Sequence, residues 1–504
     1  MLYFVVHKPQ FAHVSQSALS SSANSKYARL YLTLRRRKIQ DVCTKDINVR
    51  QFKLNSENMY SDKVRKVLKE LNIDVGDTIR VLKQNLRYEG ILLPQAEGNP
   101  DCLVLKIQSG YNIGVEFDDR TRLEKVTTTW IPPKWIEKEE QVLFFNETLP
   151  TISIIGTGGT VSSRVDYRIG GVYATFSGSD LVKTIPELKD IANLRLLQVM
   201  KVMSEDMNVF RWKEIAHAIT NEIRKDVKGV VITHGTDTIH FTSAALAFML
   251  RELPVPIALV GSQRSPDRSS SDTFVNMVSA SHFVAKSDVA EPCIVMHGTS
   301  EDCFCLAHRG TKVRKMHTSA RNAFRSINDS PIAKILYPSG DIEIINPNYR
   351  KRDENASNLV VDDKFEPKVA IIKSYPGADP DIFDFYIEKG YKGFVIEATG
   401  LGHVATLGQE SFLPKIEQAT LKGISVAVTS QCLFGRVNPS VYRNLREVAK
   451  RGAIYCEDML PEVAYVKLMW VLGHTTNTEE VRRMMLTNVA GEINARTTYE
   501  SIAW

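Results

Sequence analysis

Two rhythms of apolar residues run along this chain, and they predict two kinds of structure. Over 75–117 the apolar residues come in short bursts: Val75-Gly76-Asp77-Thr78-Ile79-Arg80-Val81, Tyr88-Glu89-Gly90-Ile91-Leu92-Leu93, Cys102-Leu103-Val104-Leu105-Lys106 and Asn112-Ile113-Gly114-Val115-Glu116-Phe117. Gly, Asn, Pro and Asp turns separate them, and short strands so spaced predict a small SH3-like β-barrel module. An amphipathic helix with a Ser/Asp start precedes it over 61–71. A module of this size more often binds or positions than catalyses.

From 150 the apolar runs become solid and alternate with helical patterns. Runs at 151–155, 229–233, 256–260 and 293–296 predict buried parallel strands, and 239–252 and 271–286 predict helices. A second series begins at 369–372 and continues at 393–397 and 424–428. The pattern predicts two doubly wound α/β domains. The polar stretch 340–366 marks the boundary. The expected organisation is an extension over 1–58, helix and β-module over 59–126, a connector over 127–149, a first α/β domain over 150–345, a linker over 346–366 and a second α/β domain over 367–504.

Composition narrows the class. The chain has 504 residues, 43% of them hydrophobic and 24% charged, which is ordinary for a globular protein. No apolar run reaches the roughly 20 residues needed to span a bilayer, and His7 and Lys8 cut short the apolar start. A soluble, cytoplasmic protein without a membrane partner is expected. The net charge of +6 is lopsided: residues 1–58 hold ten Lys/Arg and three Asp/Glu, and the rest hold 54 and 55. The body therefore exerts no general pull on nucleic acid. Residues 1–58, Ser-rich with the run Arg35-Arg36-Arg37-Lys38, fit a transit peptide, a basic arm, or a start properly placed at Met59. Seven scattered cysteines argue against a disulfide framework. Cys303-Phe304-Cys305 lacks partners at metal-ligand spacing and reads as core thiols on a strand, so no metal is expected. Gly400-Leu401-Gly402-His403-Val404-Ala405 follows a strand and precedes a predicted helix, but no acidic residue ends the next strand, against a dinucleotide site.

Chemistry concentrates in two turns. Ile154-Ile155-Gly156-Thr157-Gly158-Gly159-Thr160 and Val231-Ile232-Thr233-His234-Gly235-Thr236-Asp237-Thr238 each end a buried run in small residues and threonine hydroxyls. In open α/β sheets the carboxyl ends of strands face the ligand. Two such turns should therefore deliver Thr160, Thr236 and Asp237 to one crevice. A threonine needs a base to become a nucleophile. Taken singly, each of these hydroxyls could as well be a helix cap, and His234 suits a structural, hydrogen-bonded role.

Thr157-Gly158-Gly159-Thr160 together with His234-Gly235-Thr236-Asp237-Thr238 resembles the L-asparaginase/glutaminase family with two threonine motifs, over 150–490. The resemblance implies that Thr160 is the nucleophile with Tyr167 as helper. Thr236, Asp237 and Lys315, in Arg314-Lys315-Met316-His317, would form a second constellation. Ser204, in Met203-Ser204-Glu205-Asp206-Met207-Asn208, and Asp237 would hold the substrate's α-carboxylate and α-amino groups. Glu205 stands where hydrolases of the family often carry Gln, a change that bears on the choice between asparagine and glutamine. Gly159, like Gly158 and Gly235, lets backbone amides approach a carbonyl closely. Spacing leaves open which threonine attacks first.

The β-module ahead of this body, with Gly261-Ser262-Gln263-Arg264 and Asp267-Arg268 behind the second motif, resembles a narrower family, the amide-hydrolysing subunits of archaeal tRNA-dependent amidotransferases. That resemblance implies a glutaminase that needs no cofactor of its own. Its ammonia would pass to a partner subunit that uses ATP and Mg2+ to activate glutamate on Glu-tRNA(Gln). It also implies a homodimeric core within an α2β2 heterotetramer, with tRNA held mainly by the partner. In the family a neighbour's second domain closes the site, and His403 and Tyr442 lie in segments that could do so. The alternative is a free-standing cytoplasmic L-asparaginase, and a third reading is a catalytically dead binding protein.

Overall fold

The computed structural model describes residues 60–497 apart from 85, 96–98, 108–111, 127–139, 159–162, 167–170, 175–183, 267–269 and 353–358. Residues 1–58, the expected basic extension, lie outside the described residues.

The first module is a five-stranded antiparallel sheet in the order Asn112–Glu116, Cys102–Ile107, Leu86–Leu92, Thr78–Lys83, Thr121–Lys125. Its alternating pattern turns Ile79, Val81, Leu92, Leu103 and Leu105 inward, all fully buried. Helix Asp62–Glu70 closes that core with Val64 and Leu68, and the Ser61 hydroxyl caps it by accepting from the Val64 amide at 3.3 Å. The last strand, Thr-Arg-Leu-Glu-Lys, was not among the expected ones. It has only one large apolar residue to announce it, and the neighbouring strand Thr78–Lys83 supplies the pairing.

The main sheet has nine strands, in the order Ile342–Ile344, Ala333–Leu336, Phe304–Arg309, Pro292–His297, Ile257–Val260, Val230–Thr233, Thr151–Gly158, Asn193–Val202, Glu140–Leu143. The five from Pro292–His297 to Asn193–Val202 are parallel, as their solid apolar runs predict. Both edges are antiparallel, which the doubly wound pattern alone does not predict. Glu140–Leu143 falls in the expected connector; it pairs with Asn193–Val202 at the edge of the sheet, and exposed and half-buried residues alternate along it.

A second layer holds four parallel strands: Val369–Lys373, Gly393–Ala398, Ser425–Ser430 and Ile454–Tyr455. Phe383, Phe394, Phe412, Ile416 and Leu445 fill one side of it. On the other side the helix Pro461–Leu472 packs against both Ile239–Met249 of the first domain and Gly393–Ala398 of the second. Every residue of that helix but Tyr465 is buried. Apart from Glu462 and Lys467, it carries apolar and aromatic side chains all round, as a helix between two layers should. Each such buried Val, Leu or Met stabilises by roughly 1.5–3 kcal/mol.

Two local expectations need correction. No helix follows Gly400-Leu401-Gly402-His403-Val404-Ala405: an isolated bridge between Thr399 and His403 folds the segment into a tight turn, and the next helix is Leu413–Leu421. This removes the strand-turn-helix context of a phosphate-binding loop. Of Cys303 and Cys305, only Cys305 is a core thiol; Cys303 is exposed just ahead of strand Phe304–Arg309. Among the described residues, no cluster of His, Cys, Asp and Glu could hold a metal ion, and no helix is long and apolar enough to cross a membrane.

Candidate active site

Strand order decides where the crevice lies. From Thr151–Gly158 the chain crosses to Asn193–Val202 on one side, then returns to Val230–Thr233 on the other. The order therefore reverses between Thr151–Gly158 and Val230–Thr233, the place where open α/β sheets take their ligands. Both threonine turns leave the sheet there. The register pairs Ile155 with Ile232 and Gly156 with Thr233. The Thr157 hydroxyl donates to the Thr233 carbonyl at 2.7 Å, tying one turn to the other. Gly158 sits at φ +113°, and a Cβ there would fall 2.2 Å from the Val202 carbonyl, so only glycine lets the first strand continue into its turn. Gly159, Thr160 and Tyr167 lie outside the described residues.

The second turn meets the predicted lysine. Lys315 Nζ donates to Thr236 Oγ1 at 2.8 Å and to Asp237 Oδ1 at 2.7 Å. Thr236 is buried, and the Lys315 side chain is 9% exposed against 68% for that of Asp237. The ammonium is thus held in a shielded place with the carboxylate on the solvent side. This pairing suits an amine that exchanges a proton with a hydroxyl: the carboxylate holds the amine in place, and the hydroxyl lies within transfer distance.

Ser204 is brought to the same place. It opens the single turn Ser204–Asp206 and is buried, whereas Glu205 is exposed. The Thr238 hydroxyl donates to the Ser204 carbonyl at 2.5 Å. A Cβ on Gly235 would lie 2.7 Å from the Ser204 Cβ, so the missing side chain at 235 is what lets the serine turn sit against the second motif. Behind it, the Asn208 side chain accepts from the amides of Phe210 and Arg211 and starts helix Val209–Ile223.

His234 is structural. The Trp212 indole N–H donates to Thr242 Oγ1 (3.0 Å), the Thr242 hydroxyl donates to His234 Nε2 (2.9 Å), and His234 Nδ1–H donates to the Gly235 carbonyl (2.7 Å). That one-way chain needs a neutral imidazole, and burial pushes the His234 pKa down to about 4.

Sequence reasoning missed Asp272. Fully buried, it accepts from the Ser262 hydroxyl and from the amides of Gln263 and Arg264, shaping the loop that follows Ile257–Val260. Gly261 of that loop abuts Thr236: a Cβ there would meet the threonine methyl at 2.6 Å. An aspartate opening a helix looks like an ordinary cap, so nothing in the periodicity points to it. The rings of His403 and Tyr442 meet on the second domain, tilted by 59° with centroids 5.1 Å apart, and Tyr442 is exposed.

Comparison with known proteins bears on the fold and the family. Residues 151–350 match the N-terminal asparaginase family, 368–485 the glutaminase/asparaginase C-terminal domain, and 73–126 the GatD N-terminal domain. The L-asparaginase from Thermococcus kodakarensis superposes with a TM-score of 0.61 at 30% identity, covering 69% of this chain and 100% of that one. The GatD protein of Pyrococcus horikoshii, the D subunit of its glutamyl-tRNA(Gln) amidotransferase, is 50% identical over 444 residues, 87% of this chain and 99% of its own length. The protein of the same name from Methanothermobacter thermautotrophicus is 48% identical over 441 residues, 87% of this chain and 98% of its own. Identity of that order, carried through the β-module as well as the catalytic body, places the chain in the GatD family of glutamyl-tRNA(Gln) amidotransferase components, built on an asparaginase fold.

Proposed function

We propose that this chain is the glutaminase subunit of a tRNA-dependent amidotransferase that converts Glu-tRNA(Gln) to Gln-tRNA(Gln). The observation that carries the reading is the antiparallel module at 78–125 joined to an asparaginase-type body in which Lys315 reaches both Thr236 and Asp237. A free-standing asparaginase has no use for such a module, and the superposed asparaginase covers only 69% of this chain.

In this reading Thr160, assisted by Tyr167, attacks the side-chain amide carbon of glutamine. The nitrogen takes up a proton as the C–N bond breaks, and ammonia leaves. Water then cleaves the threonyl ester to release glutamate. Thr236, with Lys315 as proton carrier, serves the proton transfers, each of which typically contributes about 10²–10⁴-fold. Ser204 and Asp237 hold the α-carboxylate and α-amino groups. Exposed Glu205 adds a second acceptor for an amino group, and Gly159 leaves its backbone amide open to the oxyanion. Ammonia passes to the partner protein GatE, which spends ATP with Mg2+ and makes most of the tRNA contacts. Two copies of each protein assemble about a homodimer of this chain, to whose neighbouring site His403 and Tyr442 are available, and the complex works in the cytoplasm.

Ammonia release from glutamine and asparagine, measured with and without the partner protein and Glu-tRNA(Gln), tests the proposal. Glutamine hydrolysis that rises with partner and charged tRNA is expected, and Thr160→Ala should abolish it. Vigorous asparagine hydrolysis indifferent to any partner would instead point to a free-standing asparaginase.

A further inference from the structure

Lys315 does not sit on the main sheet. It ends Val313–Lys315, a three-residue strand that, among the described residues, pairs only with Phe324–Ser326. So small a hairpin cannot fix a side chain to within a fraction of an ångström by itself. Within the first domain it is held by Ser326 Oγ against His308 Nδ1 (2.9 Å) and by buried Val313 and Phe324; further anchors come from the second α/β domain. Just before the hairpin, Lys312 Nζ meets Asp458 Oδ2 at 2.8 Å, with both side chains wholly buried. Just after it, Asn328 Nδ2 donates to the carbonyls of Gly435 (3.0 Å) and Asp458 (3.2 Å). Asn494 completes the clamp, its amide donating to Asp458 Oδ1 at 3.0 Å and its side chain to the Asn328 carbonyl at 2.5 Å.

One turn further along, Glu462 approaches the neighbours of the site residues. Its Oε2 lies 3.6 Å from Nη1 of Arg314, the residue next to Lys315. Its Oε1 lies 3.9 Å from Nε2 of His240, on the helix that follows Thr236-Asp237. Glu462 therefore stands between the strand that bears the lysine and the helix that follows its two acceptors. Both Glu462 Oε1 and His240 Nδ1 are buried without a hydrogen bond. Burial raises the Glu462 carboxyl, opposed by Arg314, and drives His240 down to about 3, so the imidazole is neutral and Arg314 is the cation that answers the carboxylate. A buried carboxylate so incompletely paired is a poor source of stability, and its place is better explained by what it orients.

We infer that the segment 456–462 of the second domain positions Lys315 against Thr236 and Asp237, with Glu462 a positioning residue acting through Arg314. The inference rests on the role given to Lys315 above. Misplacing a reacting group by about 1 Å can lower a rate on the order of a hundredfold without touching substrate binding.

The test uses the full chain and ammonia release from L-glutamine and L-asparagine, with Tm read alongside. For Glu462→Gln and for Arg314→Gln, kcat should fall roughly tenfold while KM stays within about twofold, and the double variant should be no worse than the poorer single one. Unchanged kcat in Glu462→Gln, losses that multiply in the double variant, or a rise in KM with kcat intact would overturn the inference. Should Glu462→Gln not fold, Arg314→Gln, whose side chain is 31% exposed, carries the same split between kcat and KM alone. Undiminished turnover in Lys315→Ala would remove the role of the lysine itself, a failure distinct from any result at Glu462.

Discussion

At the scale of single residues the site is an exercise in shielding. One ammonium serves a hydroxyl and a carboxylate, and only the carboxylate faces water. Thr236→Val keeps the shape and removes the hydroxyl; kcat for amide hydrolysis should fall by about 10²–10⁴-fold with the melting temperature little changed. The relay Trp212–Thr242–His234–Gly235 makes a different prediction. The folded pKa of His234, about 4, lies below the ordinary value near 6.5, so the unfolded chain binds more protons between those two points. The stabilisation from neutral His234 is complete above about pH 6.5, is lost as pH falls from there to about 4, and changes no further below that. The loss is on the order of 3 kcal/mol. His240 and His308, both pushed down to about 3 by burial, act in the same direction. Urea unfolding at pH 7 and pH 4.5 should show the drop, and Thr242→Val, by stripping His234 Nε2 of its donor, should lower stability by about 1–3 kcal/mol at pH 7.

At the scale of elements, the two threonine turns owe their meeting to adjacent parallel strands in fixed register. Gly235→Ala would drive a methyl into Ser204 and displace the serine turn. Because Ser204 is assigned to substrate carboxylate binding, KM should rise more than kcat falls, with overpacking lowering stability by roughly 1–3 kcal/mol. This is also the scale at which legibility in the sequence changes. Solid apolar runs such as Val230–Thr233 announce themselves, since burial on both faces leaves no room for polar residues. Thr236, Asp237 and Lys315 could be named because the motifs are specific, though 79 residues separate Thr236 from Lys315. Strands Thr121–Lys125 and Glu140–Leu143 were not legible: half-exposed edges with few apolar residues are held by their neighbours rather than by their own preference. Asp272, Glu462 and Arg314 were not legible either, for a related reason. Glu462 and Arg314 are partners distant in the chain, the partners of Asp272 are loop groups of the preceding turn, and an isolated Asp, Glu or Arg in a helical or strand context reads as a solvated face.

At the scale of the whole molecule, the β-module has its own core, from Tyr60 to Leu123, separate from those of the two α/β layers. Removing 60–126 should therefore leave amide hydrolysis by the remaining body within about threefold of the full chain. It should cost the dependence on partner and tRNA, read as Gln-tRNA(Gln) formation in the reconstituted complex. The two α/β layers do not divide so cleanly. Helix Pro461–Leu472 follows the last strand of the second layer, yet Val463, Val466, Leu468 and Trp470 belong to the same core as Ile232 and Phe248. A chimaera cut at the loop after residue 345 would leave half of a shared interior without its counterpart. Grafts between relatives should succeed only when that helix travels with the layer it packs against, and calorimetry of the intact chain should show both layers melting in one endotherm.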